Sequence, residues 1–475
     1  MPELIDEPTE TQSPKIEALL ADAPISAAET PVSTTAHRGI FSRIADRLPI
    51  NAFLQRSVWG IGDQGLISAN NFITMVLVAR SISPAAFGAF ALVYSAILLL
   101  NILQHTLITW PHNVLGTAPG TAGYRRYTTS VAAGQLGLSL VLSALLAGAA
   151  AICQVRGLSA ATLLWAAVPA LFFWQCQEFT RRVLYTELRP SAAFFNDVIA
   201  YGLQGAGVAF FWWNNQLTGA LALVILAATS AAATVIGLAQ IRSSLGGGFD
   251  LGAWRKSWKF GKYLAGAELI GWCSSLPIYL FVAAILLGSA AAAQMKISQV
   301  MFGPTRVIAY FLATVLPTQF ARSLTDHGKH ALRAQLRKTL LIVAPILIGY
   351  CMLVAIFPTF ILQHTAGRQY IHSGDILSLY AVEAVIGYAQ MLLAAALSAQ
   401  QRTHQIFLGN LWGGLLSLTI SWPFIYYWGI TGALAAMILA NAFVLFFFAT
   451  ACAKFFRDDT AAPQVSAAGE MIHAS

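Results

Sequence analysis

The chain has 475 residues, 57% of them hydrophobic and only 10% charged, with 28 Lys and Arg against 20 Asp and Glu for a net charge of +8. Soluble domains carry about 25% charged residues, so this composition excludes a water-soluble enzyme or regulator and points to a polytopic membrane protein. Cys153, Cys176, Cys273, Cys351 and Cys452 lie in or beside apolar segments with no CxxC spacing, so neither a disulfide framework nor a metal site is expected.

Residues 1–48 are rich in Ala, Glu, Thr, Ser and Pro, with no basic start followed by an apolar run. They read as a disordered cytoplasmic tail rather than a signal peptide. Twelve apolar segments follow, near 57–80, 85–110, 127–152, 159–180, 191–213, 217–240, 260–286, 290–320, 339–361, 374–398, 404–427 and 432–453. Each is close to the ~20 residues that cross a ~30 Å hydrocarbon core. The first six form an N-terminal lobe (49–243). A cytoplasmic linker (244–262) leads to a C-terminal lobe (263–456) and a second disordered cytoplasmic tail (457–475).

Positive charge accumulates on cytoplasmic loops. With both termini inside, 23 of the 28 Lys and Arg fall on the cytoplasmic side and only Arg80, Arg156 and Arg368 outside, while Lys296 and Arg306 lie within a span. The positive net charge is therefore a topology signal, and no nucleic-acid partner is expected. The basic linker stretch WRKSWKFGK (254–262) reads as a topology anchor with interfacial Trp254 and Trp258.

An internal repeat sets the architecture. LRPSAAFFND and LTGALAL around segments 5 and 6 recur as QRTHQIFLGN and ITGALAA around segments 11 and 12. Arg189 falls over Arg402, Asp197 over Asn410 and Thr218 over Thr431, all in one unbroken register. Each copy holds six spans, an even number, so the copies share one orientation and are related by an axis along the membrane normal. A cavity between the two lobes is expected.

Polar stripes mark the helices that face it. Segment 1 carries Asp63, Asn70 and Thr74 at helical spacing, with Gln64 and Asn71 alongside, and segment 2 carries Asn101, His105 and Thr109. Segment 7 holds Glu268, Trp272, Ser275 and Tyr279, with Pro277 positioned to kink it. In segment 8, Lys296, Gln299, Gly303, Arg306 and Tyr310 share one face. The two cations are ~15 Å apart at 1.5 Å rise per residue, with Arg306 near mid-membrane. Segment 10 adds Tyr380, Glu383, Gly387 and Gln390.

Each has a plain structural alternative. Lys296 reads either as a cavity cation or as a side chain reaching the outer interface. Arg306 reads either as an anion ligand or as the ion-pair partner of Glu268, Glu383 or Asp63. Asp63 also suits a local tie at the start of segment 1, Glu178 with Arg181 and Arg182 a local salt bridge, and His105 a hydrogen-bonded core histidine. Asn70 and Asn71 also suit helix packing.

The stretch NNFITMVLVARSISPAAFGAFALVYS (70–95), the six-plus-six repeat and the ITGALAA-type last segment resemble the polysaccharide transporter branch of the multidrug/oligosaccharidyl-lipid/polysaccharide (MOP) exporter superfamily. The resemblance covers roughly residues 50–455. It implies an all-α polytopic membrane protein of 12 transmembrane helices in two parallel six-helix repeats forming a V. It also implies alternating access across the bacterial inner membrane and, as substrate, an undecaprenyl-diphosphate-linked oligosaccharide for exopolysaccharide or O-antigen export. Expected partners are that lipid-linked oligosaccharide, membrane lipids and a polysaccharide polymerase or export complex.

The physical argument assigns the residues. A diphosphate is an anion that suits Lys and a bidentate Arg fork, so Arg306, Lys296 and Gln299 are expected at the headgroup. Asp63, Glu268 and Glu383 are candidates for H⁺ or Na⁺ coupling. Asn70, Asn71, Thr74, Asn101, His105, Tyr310 and Gln390 are candidate cavity-lining residues. No other cofactor, metal or catalytic residue is expected. A drug/cation antiporter of the same superfamily and a membrane polymerase or glycosyltransferase remain as alternatives; the short outer loops speak against an enzyme.

Overall fold

The computed structural model describes residues 52–457, apart from Thr117 and Ser274, and residues 53–457 belong to one contact-defined unit. Both tails lie outside the described residues, and within the helices so do the side chains at 52–58, 61, 273, 306, 310, 311 and 314.

Helices follow one another with short breaks, and the breaks have local causes. After α1 (Ala52–Ser81), Ser83 caps α2 (Pro84–Gln104) by accepting from the Ala86 amide at 3.3 Å, and Pro84 takes the first turn, where its missing N–H costs nothing. A π-turn (His105–Thr109) and α3 (Trp110–Leu115) continue α2. Thr121 caps α4 (Ala122–Val155); α5 (Ala160–Thr186) and α6 (Pro190–Trp213) follow, and Thr218 caps α7 (Gly219–Gln240). The second half runs through α8 (Leu251–Cys273), α9 (Leu276–Leu287), α10 (Ser289–Met301), α11 (Gly303–Ile356), α12 (Pro358–Thr365), α13 (Gly374–Ala399) and α14 (Thr403–Arg457).

Among the described residues, seven helices are long and apolar enough to cross a membrane, or eight if α8 and α9, bent by 51°, form one span. That bend falls at the kink expected from Pro277, which sits in the first turn of α9. The sequence reading of twelve is not reached by this measure. Part of the difference is that α11 and α14, with 54 and 55 residues, each join two helical stretches through a glycine of positive φ, Gly328 (77°) and Gly429 (61°). At 1.5 Å per residue either one is about 80 Å long, far more than one bilayer crossing.

The repeat is visible in backbone detail. At the corner after α5, Leu188 adopts φ 57°, and the amides of Glu187, Leu188 and Arg189 bond the carbonyls of Val183, Tyr185 and Leu184. At the corner after α13, Gln401 adopts φ 58°, and Gln400, Gln401 and Arg402 bond Ala396, Ser398 and Leu397. Every one of these pairs keeps the register that sets Arg189 over Arg402.

Within the first half α5 packs on α4 and α7, and within the second α13 packs on α11 and α14. Small residues permit the close approaches. A Cβ at Gly413 would come within 2.2 Å of Val444, and one at Gly409 within 2.5 Å of Phe448, the close small-residue packing that membrane helices use. Leu136, Leu140, Leu145 and Ile152 of α4 are exposed while Val131, Leu142, Leu146 and Ala150 of the same helix are buried, as a lipid-facing helix requires.

The two halves meet most tightly where α2 lies on α10. A Cβ at Gly88 would come within 1.7 Å of the Ser289 carbonyl oxygen. At the same end Arg80 donates to the carbonyls of His364 (2.9 Å) and Thr365 (3.3 Å), Gln369 donates to those of Ala79 and Ile82, and Phe87 meets Tyr370 with ring centres 6.2 Å apart. The stretch ARSISPAAFG thus supplies a closure, a helix cap and a helix contact together. The placement of Lys and Arg along the sequence predicts that this end lies on the outer side. Toward the other end, α8 docks on the first half: Tyr127 meets the Ser257 hydroxyl at 3.0 Å, and a Cβ at Gly134 would lie 2.2 Å from the Trp254 ring.

Candidate functional site

Two cavities share one wall. The first, about 290 Å³, lies among α1, α2, α5, α10 and the start of α11, and so between helices of the two halves. Gln64, Ser68 and Asn71, spaced along one face of α1, line it with Tyr94, Trp174 and Lys296. Tyr94 and Trp174 stack with ring centres 6.0 Å apart and give it an aromatic wall. Among the described residues, Lys296 is the one charged side chain of this lining; it is only 8% exposed, and its ammonium donates to the Gln299 amide oxygen at 3.0 Å.

Gln299 also lines the second cavity, about 360 Å³, which lies within the second half. Tyr380, Glu383 and Gln390 reach it from α13, and Asn410 and Asn441 from α14. Asn441 donates to Glu383 at 3.4 Å, and Gln390 donates to the Asn441 carbonyl at 2.5 Å. Thus Lys296, Gln299, Asn71, Glu383 and Gln390, singled out from the sequence, gather around two adjoining spaces.

Other expected residues stand elsewhere. Asn70 and Thr74 are buried, and Asn70 faces α6, its amide oxygen 3.2 Å from where a Cβ of Gly205 would be. Asn101 accepts from Gln175 (3.1 Å) in a buried amide chain with Gln104, Gln135 and Ser139. His105 pairs with the Thr109 hydroxyl at 2.9 Å and lies against Trp110. None of these four lines the two cavities: Asn101 and His105 bond inside the first half, the buried polar atoms of Asn70 and Thr74 have no hydrogen-bond partner among the described residues, and the periodicity of a polar stripe does not tell a cavity from a buried helix contact. Glu268 is exposed on α8 and lines neither cavity. The side chains of Arg306 and Tyr310 lie outside the described residues; the Arg306 backbone is one turn beyond Gly303, which lines the first cavity.

Asp63 has a different surrounding from the expected coupling site. It is 1% exposed and forms an ion pair with Arg181 of α5, and Tyr185 donates to it at 2.7 Å. Arg181 also lies 2.6 Å from the Asp197 carboxylate of α6 and 3.0 Å from Glu178, which in turn pairs with Arg182 at 2.6 Å. The local pair read at Glu178 is present, but its extension to Asp63 and Asp197 has no signature in local spacing. The only sequence trace of the wider network is Asp197 at a repeat position. In the low dielectric of a buried site such a cluster is held by mutual neutralisation, and it clamps α1, α5 and α6 together.

A sequence model of the family described as "Polysaccharide biosynthesis protein" matches residues 77–375, more than half of the chain. No curated protein sequence matches. Among solved structures, the lipid II flippase MurJ in an inward closed conformation aligns with a TM-score of 0.67 at 13% identity, covering 85% of this chain and 89% of that one. An inward-facing multidrug resistance MATE family transporter of the MOP superfamily aligns at 0.66 with 14% identity, covering 84% and 96%. A MOP superfamily transporter from Pyrococcus furiosus, described as having a binding pocket of reverse polarity, aligns at 0.58 with 13% identity, covering 85% and 95%. At such identities these likenesses establish the fold. With most of its length on a flippase and transporter fold and its middle on the family model, this multi-pass membrane protein belongs to the polysaccharide biosynthesis protein family, with the architecture of the MOP superfamily.

Proposed function

We propose that the protein is a flippase that moves an undecaprenyl-diphosphate-linked oligosaccharide across the bacterial inner membrane by alternating access, for exopolysaccharide or O-antigen export. The observation that carries this reading is Lys296, a buried cation that is, among the described residues, the one charged side chain lining a cavity between the two halves. A diphosphate entering that space meets an ammonium already aligned by Gln299. Charge-assisted hydrogen bonds to phosphate are about twice as strong as neutral ones. Arg306, one turn along from the cavity, is proposed as a second phosphate ligand whose planar fork suits a diphosphate. Both termini are cytoplasmic in this reading, and a polymerase or export complex is the natural acceptor of the product.

In cells, Lys296→Gln is expected to block polymer export and to accumulate lipid-linked repeat units in the cytoplasmic leaflet at an unchanged level of inserted protein. Normal export by that variant rules the reading out. Asp63, Glu268 and Glu383 are proposed as H⁺- or Na⁺-coupling groups, though the Arg181 pair gives Asp63 a structural task as well. If Asp63→Asn, Glu268→Gln and Glu383→Gln all keep wild-type dependence on the ion gradient, carboxylate coupling is wrong. The second reading, a drug/cation antiporter, is favoured by the MATE likeness and opposed by the positive charge that Lys296 brings to the first cavity.

A further inference from the structure

We infer that the second cavity is a sugar subsite, which takes a neutral pyranose of the glycan while the first cavity holds the diphosphate. The inference rests on the flippase reading above and extends it to a part of the molecule that the diphosphate does not need.

The lining sets the ligand class. Among the described residues, those around the second cavity include four side-chain amides (Gln299, Gln390, Asn410 and Asn441), a single carboxylate (Glu383) and no Lys or Arg. Each amide both donates and accepts, as each sugar hydroxyl does. The aromatic rings of Phe302 and Tyr380, 6.4 Å apart, offer flat apolar surface for the C–H face of a pyranose. Tyr380 and Tyr388, only 2% and 5% exposed, belong to this lining, and their buried hydroxyls have no hydrogen-bond partner among the described residues. A buried polar group left without a partner is costly, so two on the residues that wall one cavity point to a ligand or water that satisfies them after a small side-chain adjustment. The volume of about 360 Å³ is at the lower end of the ~300–1,000 Å³ of small-molecule sites. A bare cation needs several oxygens converging within roughly 2.3–2.6 Å of one point and would leave most of that space unfilled.

The repeat supplies an independent argument. The register that sets Arg189 over Arg402 also carries Gln177, Arg181 and Asp197 onto Gln390, Ala394 and Asn410. In the first half Arg181 is paired with Asp197, and Gln177 donates to Asp197 at 3.3 Å, so the charges are consumed internally. In the second half the cation position is an alanine, the acid is an amide, and Gln390 and Asn410 both face a cavity. The same framework is thus locked by an ion cluster in one copy and left as an amide-lined space in the other. Gln299 joins that space to Lys296, which places a sugar directly beside the diphosphate that carries it.

The test uses the full-length protein in lipid nanodiscs and two probes: undecaprenyl diphosphate, and the undecaprenyl-diphosphate-linked glycan extracted from the source cells. The wild type is expected to bind the glycan-bearing lipid more tightly. Tyr380→Phe, Tyr388→Phe and Asn410→Ala should each weaken the glycan-bearing lipid by about fivefold, one hydrogen bond's worth, and leave the sugar-free lipid unchanged. Lys296→Gln should weaken both. Equal wild-type affinity for the two lipids overturns the sugar subsite and leaves the diphosphate reading intact, as do variants that weaken both probes alike or neither. If Lys296→Gln changes neither affinity, the flippase reading beneath the inference fails instead.

Discussion

Arg181 is the most exacting residue of the first half, because one guanidinium serves carboxylates from three helices. It is paired with Asp63 of α1, Asp197 of α6 (2.6 Å) and Glu178 on its own helix (3.0 Å). Asp63 and Asp197 are 1% and 0% exposed, so neither can turn to water if the cation is removed. Among the described residues, Arg181→Met leaves Arg182 as the only other cation paired in the cluster, and Arg182 pairs with Glu178 alone. Stranding a buried charge costs ~3–5 kcal/mol, a large part of the ~5–15 kcal/mol of a typical folded domain. The expected outcome is aggregated protein in fluorescence-detected size-exclusion chromatography after detergent extraction. The triple variant Arg181→Met, Asp63→Asn, Asp197→Asn removes the stranded charges together with the cation, and should recover a monodisperse peak. A monodisperse, heat-stable Arg181→Met single variant would refute the argument that the cluster is held by mutual neutralisation.

Cysteines placed at Arg156, Asn215, Gly288 and Gly429 should react with a membrane-impermeant reagent from outside, and those at Arg126, Gly247 and Gly328 should not; the reverse pattern at two of these sites defeats the orientation. Gly88→Val puts a side chain where α2 meets the Ser289 carbonyl, so it should raise the outside reactivity of a Ser289→Cys reporter, and unchanged reactivity would contradict the close helix contact. Arg306→Ala should end export while the protein stays inserted, and Arg306→Lys should restore part of it because charge returns without the fork. Loss of inserted protein in Arg306→Ala would instead mark that arginine as a structural ion-pair partner.

The fold class was legible because the bilayer imposes it. Long apolar runs, the placement of Lys and Arg and the constant register of the repeat each report a physical constraint on the whole chain, and that register reappears as paired left-handed residues at Leu188 and Gln401. The count of twelve spans is not confirmed by length and hydropathy of the helices, in part because Gly328 and Gly429 turn the chain while the hydrogen-bond pattern reads on as one helix. For the candidate site, a lysine and a glutamine one turn apart on an apolar helix singled out Lys296 and Gln299, which the structure places on cavity walls. The stripe on α1 divided, with Gln64, Ser68 and Asn71 on the first cavity and Asn70 turned toward α6, because adjacent residues on a helix point about 100° apart. Tyr94 and Trp174 carried no signal that separates a cavity wall from ordinary aromatic packing. The Asp63 and Arg181 pair joins residues more than a hundred positions apart, and no local spacing encodes such a contact.

The most direct test of the central claim is transport itself. Purified protein is reconstituted into vesicles that carry the glycan-bearing undecaprenyl diphosphate in both leaflets, and the fraction reached by an external glycan-modifying enzyme is followed with time. The wild type should expose the inner pool, whereas Lys296→Gln, inserted to the same level, should slow that exposure by at least about tenfold, the ~1.4 kcal/mol that loss of one charge-assisted phosphate contact amounts to. Exposure at the wild-type rate with Lys296→Gln, or no exposure of the inner pool by the wild type, would contradict the assignment of this cavity to a lipid-linked glycan.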